Sequence, residues 1–131
     1  MNAVYERAGG LPFFERLVDE FYRGVARDPE LLALYPEPDD LSRARHRLTL
    51  FLVQYWGGPT TYSDERGHPR LRFRHAPYPI DAAARDRWLA HMGAALATMV
   101  KLGADEALTE TLWAYFVPAA DAMRNVAELD P

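Results

Sequence analysis

Apolar residues recur every three or four positions along most of this chain, and glycine or proline pairs interrupt the pattern at intervals. Such spacing places apolar side chains on one face of a helix, whereas a half-buried strand would place them at every second position. No segment of the sequence shows the strand pattern. We therefore predict an all-α fold in which the interruptions separate the helices.

The first half of the chain carries signals for two long helices and a short one. An amphipathic stripe runs from Phe14 to Val25 after the break at Gly9-Gly10. Asp28 precedes a proline, a pair typical of a helix N-cap and first turn, and opens a short helix. The second long helix should begin near Leu41 and stop at Gly57-Gly58-Pro59. These helices account for residues up to the middle of the chain.

Two further long helices are predicted in the second half. Asp81 is placed to cap the third helix, and Gly103 is placed to end it. The fourth helix should begin near Asp105 and bend at Pro118, because proline removes an amide donor from the helix interior. The fold prediction is thus four main helices around one core.

Composition excludes several classes of protein. A length of 131 residues suits one domain, which we predict to span residues 1–131. The lack of cysteine removes disulfides and thiolate metal sites, so any metal must be held by histidine, carboxylate or a cofactor. A net charge of −4 argues against a nucleic-acid binder. No apolar run approaches the length of a membrane span and no secretory leader is visible, so we expect a cytoplasmic protein.

Residues 59–79 concentrate six arginines and histidines together with several prolines. We expect a long irregular connection here, with about one helical turn before His75, and connections this long usually serve a site. Pro77 and Pro79 restrict the backbone that follows this histidine. From the residues alone the segment could form an anion site, a zinc pair of His75 with His68, or a solvated loop. The zinc pair lacks a third ligand, and no glycine-rich phosphate loop is present.

The sequence around this segment resembles the second group of truncated haemoglobins, which are globins shortened to a two-over-two helical sandwich. The resemblance rests on the run FLVQYWGGP at residues 51–59, on Tyr62-Ser63, and on GHPRLRFRHAP at residues 67–77. The glycine pairs at residues 9–10 and 57–58 also correspond to those of the family. The resemblance extends over about residues 5 to 125. The two-over-two sandwich is therefore the fold that we expect.

The resemblance implies haem b, iron protoporphyrin IX, as cofactor, with His75 as the axial ligand of the iron. Arginine pairs well with carboxylates, so we expect Arg72 to be the first partner of the haem propionates. At least half of the arginines should nevertheless be only solvated. The cofactor-binding side chains expected on this basis are His75, Arg72, Arg47, His68, Tyr62, Leu48, Phe51 and Leu52.

The resemblance also implies a polar distal pocket, in which the gas ligand binds. Tyr22, Tyr35 and Trp88 match its hydrogen-bonding positions, and Ala44 and Leu48 match its small and apolar positions. Buried hydroxyl and indole groups need partners, and bound O2 is a good acceptor. We therefore expect these three donors to contact the ligand, with no distal histidine.

The implied function is the binding of O2, and with it CO and NO, at ferrous iron with slow ligand release. The alternative is a haem-dependent peroxidase-like or NO-detoxifying enzyme, which would need an unidentified reductant, since the chain carries no flavin or nicotinamide motif. A third possibility is a helical interaction protein without haem. His46 and His91 are interpreted as solvated or structural. The oligomeric state stays open.

Overall fold

The computed structural model describes residues 3–126, and this range contains α-helices and no β-strand. The predicted all-α class is confirmed. The helices are α1 (Val4–Ala8), α2 (Leu11–Val25), α3 (Pro29–Leu32), α4 (Ser42–Tyr55), α5 (Thr61–Arg66), α6 (Leu71–His75), α7 (Ala82–Lys101) and α8 (Glu106–Ala122). The first and last residues of the predicted domain lie outside the described range.

The four long helices form two packed pairs. Helix α2 packs against both α4 and α7, and α7 packs against α8. This is the predicted two-over-two arrangement. Its core consists of the apolar faces that the helical spacing indicated, and the largest fully buried side chains are Phe14, Phe21, Leu17, Leu52, Met92, Leu112, Val18 and Val25.

Aspartate side chains begin three of these helices as the sequence predicts. Asp28 accepts a hydrogen bond from the amide of Leu31 at 3.3 Å, and Asp81 accepts one from Ala84 at 2.8 Å. Asp105 caps α8 in the same way. Such caps satisfy amide donors that the first turn of a helix leaves without partners. Helix α8 continues through Pro118 as one helix.

The short helix α1 was not predicted, because five residues carry too little periodicity. It is held by contacts that form only in the fold. The amide of Tyr5 donates to the carbonyl of Trp56 at 2.9 Å, and its ring lies against Gly58. A Cβ atom at Gly58 would come within 2.7 Å of Tyr5 and of Val53. The second glycine pair therefore lets α1 approach the end of α4 closely.

The connection between α4 and α7 contains two short helices. Helix α6 is the predicted turn before His75, whereas α5 was not predicted. Gln54 of α4 stabilises α5, since its side chain donates to Ser63 Oγ at 2.7 Å and accepts from the Ser63 amide at 2.9 Å. These bonds hold α5 along one edge of α4.

No helix within residues 3–126 is both long enough and apolar enough to span a lipid bilayer.

Candidate functional site

A cavity of about 370 Å³ lies between the two helix pairs and the α5–α6 connection. Most of its wall is apolar. The larger apolar side chains that line it are Leu31, Leu34, Leu48, Phe51, Leu52, Leu71, Ile80, Phe116 and Met123. A cavity of this kind accommodates a largely apolar ligand, whose orientation a few polar groups would determine.

His75 ends α6 and brings an imidazole to this cavity. Its Nδ1 lies 2.6 Å from the carbonyl oxygen of Leu71, one helical turn earlier. Because a carbonyl only accepts hydrogen bonds, Nδ1 carries the hydrogen and the lone pair is on Nε2. Nε2 has no hydrogen-bond partner among residues 3–126. The ring is therefore oriented by its own helix and can ligate a metal through Nε2.

Tyr22 and Tyr35 come from separate segments and meet at the cavity, with their ring centroids 5.7 Å apart. Burial raises the pKa of Tyr22 to about 12, and its hydrogen bond with Tyr35 offsets part of the rise. Burial also raises the pKa of Tyr35 well above its ordinary value, an effect that a hydrogen bond with Trp88 partly offsets. Both hydroxyls keep their hydrogens at neutral pH. The hydrogen bond between them lowers the pKa of Tyr22 and raises that of Tyr35, so Tyr35 is the donor in this pair. The Tyr22 hydroxyl can therefore donate to a ligand in the cavity, and the Tyr35 hydroxyl can do so by turning its hydrogen away from Tyr22.

Trp88 is the third polar aromatic side chain at the cavity. Its ring packs against Phe21 at 4.9 Å and against Phe116 at 5.6 Å between centroids. These contacts hold the indole between α2 and α8 while its N–H lies near the Tyr35 hydroxyl. The three donors thus form one group, although their positions in the sequence are far apart.

Four arginines also line the cavity: Arg47, Arg66, Arg74 and Arg85. Arg74 is bound to the protein itself, because its guanidinium donates to the carbonyls of Pro69 at 2.6 Å and Arg66 at 2.8 Å. It also lies 6.0 Å from the ring centre of Tyr62. Arg47 and Arg66 form no ion pair with another described residue. Their guanidinium groups can pair with carboxylates of a ligand.

The structure brings all but two of the predicted site residues to the cavity wall. The exceptions are Arg72 and His68, whose side chains are exposed and do not line it. His68 instead accepts a hydrogen bond from the Arg70 amide at 3.2 Å. The pairing of Arg72 with a propionate is therefore not supported by the cavity lining and stays a prediction.

Sequence reasoning missed the cationic cavity residues Arg66, Arg74 and Arg85. Arginines alternate with other residues before His75, and this alternation does not show which of them face inward. The direction of the Arg74 side chain depends on the carbonyls of Arg66, at the end of α5, and of Pro69, in the connection that follows. Neither contact was predicted. A four-residue spacing does place Leu71 and His75 on one face of α6, and that signal was available.

The other described histidines lie away from the cavity wall, as a structural interpretation predicts. His46 Nε2 lies 3.0 Å from a carboxylate oxygen of Glu65 and joins α4 to α5. His91 Nε2 lies 2.8 Å from Asp28 Oδ2 and joins α7 to the cap of α3. Neither residue lines the cavity. No group of three or more metal-ligating side chains occurs in the described part of the chain.

These features fit a haem. A porphyrin is broad and apolar, and the cavity wall is apolar. Its iron takes an axial imidazole, and His75 Nε2 has an available lone pair. Its two propionates are anionic, and the cavity is lined by guanidinium groups. The residues of the cavity therefore match the porphyrin ring, the iron and the propionates of a haem.

Comparisons with known proteins show which family this chain resembles. The family model of bacterial-like globins matches residues 3–125. The chain is 39% identical over 129 residues to the group 2 truncated haemoglobin YjbI of Bacillus subtilis, covering 98% of this chain and 93% of the relative.

Solved structures show the same similarity. A thermostable haemoglobin from Thermobifida fusca is 55% identical with a TM-score of 0.90, covering 97% of this chain and 100% of that one. A truncated oxygen-avid haemoglobin from Bacillus subtilis is 40% identical with a TM-score of 0.84, covering 95% of this chain and 100% of that one.

Proposed function

Because this chain belongs to the bacterial-like globin family, and within it to the second group of truncated haemoglobins, we propose that it holds haem b through His75 and binds O2 reversibly with slow release. Membership of the family implies a haem cofactor and haem-based O2 binding. The haem type, the residues that act on the ligand and the slow release are the parts that we propose.

One observation carries the proposal: an imidazole with a free Nε2 lone pair and a group of protonated donors line the same apolar cavity. When bound, haem supplies an iron that binds a diatomic gas and leaves partial negative charge on O2. His75 would hold the cofactor, and its hydrogen bond to the Leu71 carbonyl fixes the tautomer and the ring direction. The largely apolar wall would disfavour water next to the bound ligand.

Tyr22, Tyr35 and Trp88 would stabilise O2 by donating hydrogen bonds to it. Charge on the acceptor strengthens such bonds, and a low local dielectric strengthens them further. CO and NO also fit the cavity but are weaker acceptors, so the donors should favour O2. The truncated haemoglobin of Bacillus subtilis, 40% identical to this chain, is oxygen-avid, which supports the proposal of tight O2 binding here.

Arginines at the cavity would pair with the haem propionates. Arg47 and Arg66 are the main candidates, since neither forms an ion pair within the described range. Arg74 would contribute by tying α6, which carries His75, to the carbonyls of Arg66 and Pro69. We therefore propose Arg47 and Arg66, in place of Arg72, as the first partners of the haem propionates.

A titration of the purified apoprotein with haemin tests the proposal. We expect saturation at one haem per chain, a Soret band, and a ferrous form that takes up O2 and releases it when O2 is removed. The protein purified from cells should give the pyridine haemochromogen spectrum of haem b. His46→Ala is the matched control, because His46 lies outside the cavity. Haemin binding that does not saturate, or that is equally strong in His75→Ala, would exclude the proposed site.

A further inference from the structure

Asn125 follows α8 and makes an unusually complete set of hydrogen bonds to the segment after His75. Its Nδ2 donates to the carbonyl of His75 at 3.1 Å and to that of Tyr78 at 2.8 Å. Its Oδ1 accepts from the amide of Ile80 at 2.8 Å, and its own amide donates to the carbonyl of Ile80 at 2.9 Å. Both ends of the side-chain amide are therefore used on one short segment.

This segment has few donors of its own. His75 is the last residue of α6, so its carbonyl lies at a helix end where intrahelical partners are missing. Pro77 and Pro79 have no amide hydrogen to offer. The Tyr78 amide supplies one bond to the His75 carbonyl at 2.9 Å, and Asn125 supplies the other. The side chain of Asn125 thus fixes backbone that could not be fixed by local hydrogen bonds alone.

The ring of His75 is fixed relative to α6 by its bond to the Leu71 carbonyl. That bond does not fix α6 relative to the cavity. Arg74 holds the start of the helix through the carbonyls of Arg66 and Pro69. Asn125 holds the end of the helix at His75 itself. The position of Nε2 in the cavity therefore depends on both attachments.

We propose that Asn125 is a positioning residue for His75: by anchoring the His75 carbonyl to the end of α8, it fixes the position of the imidazole under the haem. The inference rests on the proposed function of His75 as the haem ligand. It assigns to a residue beyond the last long helix an influence on the iron–histidine bond.

Two substitutions separate the bonds that Asn125 makes. Asn125→Asp keeps an oxygen that can accept from the Ile80 amide but loses both bonds donated by Nδ2. Asn125→Ala loses all the side-chain bonds. In both variants we expect a shifted or broader iron–histidine stretching band in the resonance Raman spectrum of the ferrous protein. Haem transfer to apomyoglobin should be faster by about threefold to tenfold, because partly exposed hydrogen bonds are lost.

Hydrogen exchange of the apoprotein provides a readout that does not depend on haem. The Tyr78 amide, which donates to the His75 carbonyl, should exchange faster in both variants. The Ile80 amide should lose protection in Asn125→Ala and keep it in Asn125→Asp. Asp105→Ala is the control, because it removes the cap at the other end of α8 and leaves the segment after His75 untouched.

The outcomes distinguish this inference from the proposed function. If wild type shows an iron–histidine band and both Asn125 variants keep its frequency, width and haem-transfer rate, the positioning role is wrong. An equal change in Asp105→Ala would also overturn it, because the effect would then be general destabilisation. If wild type lacks the band, the proposed function fails instead. Unchanged Tyr78 exchange in the apoprotein variants would then show that Asn125 does not hold the segment.

Discussion

Trp88→Phe removes one hydrogen-bond donor from the cavity and keeps most of the aromatic packing. The packing partners Phe21 and Phe116, at 4.9 and 5.6 Å between centroids, still contact a phenyl ring at this position. A net hydrogen bond contributes about 0.5–1.5 kcal/mol, so O2 release should accelerate by about threefold to tenfold. CO is a weaker acceptor, and its release should change much less.

Stopped-flow displacement measures both rates on the ferrous protein. Trp113→Phe is the matched control, because it makes the same chemical change on α8 at a tryptophan that does not line the cavity. Adding Tyr35→Phe to Trp88→Phe should give a non-additive result, since both donors share one acceptor and interact with each other. Equal acceleration for O2 and CO would mean that Trp88 acts as a steric gate. An unchanged O2 rate would remove it from the ligand site.

Other predictions concern the cavity arginines and the contact between α2 and α7. Arg74→Ala should speed haem transfer to apomyoglobin more than Arg72→Ala, because only Arg74 lines the cavity and holds the carbonyl of Pro69; equal rates would contradict this. Gly24→Ala should lower the free energy of unfolding by about 1–3 kcal/mol, since overpacking is costly and its Cβ would lie 2.4 Å from His91 Nδ1. Denaturant titration should show a smaller loss when Gly24→Ala is introduced into His91→Ala than when it is introduced into wild type. An equal loss in the two backgrounds would exclude the clash. The hydrogen bond with His91 lowers the pKa of Asp28 below its ordinary value of 3.8, so Asp28 stabilises the fold above that pH and loses this contribution as the pH falls through its folded pKa. Asp28→Asn should therefore show a flatter decline of unfolding free energy below pH 3.8 than wild type, and parallel curves would refute the linkage.

Helical spacing and capping residues predicted most of the fold because they act locally. The stripe from Phe14 to Val25 needs only its own periodicity to indicate a buried face, and Asp81 needs only its position before α7 to indicate a cap. Helix α5 escaped prediction because its stability depends on Gln54, which contacts it from another helix. Local patterns do not contain such contacts.

The site residues that could be predicted are those at positions where the sequence matches the family motifs. His75 and Trp88 were placed by resemblance, and both line the cavity. The choice between Arg72 and Arg74 depended on which side of a five-residue helix faces inward. The carbonyls of Arg66 and Pro69, which accept from Arg74, hold its side chain on the cavity side. The bonds from Asn125 to His75 have no sequence signal, because they join residues that become neighbours only when the segment after α8 meets the segment after α6.

We propose His75 Nε2 as the protein ligand of the haem iron. Resonance Raman spectroscopy of the ferrous protein tests it directly when histidine is labelled with nitrogen-15. We predict an iron–histidine stretching band that shifts on labelling, is absent from His75→Gly, and returns when imidazole is added. His46→Ala and His91→Ala should retain the band, because neither residue lines the cavity. A band that persists unchanged in His75→Gly without added imidazole would contradict the account.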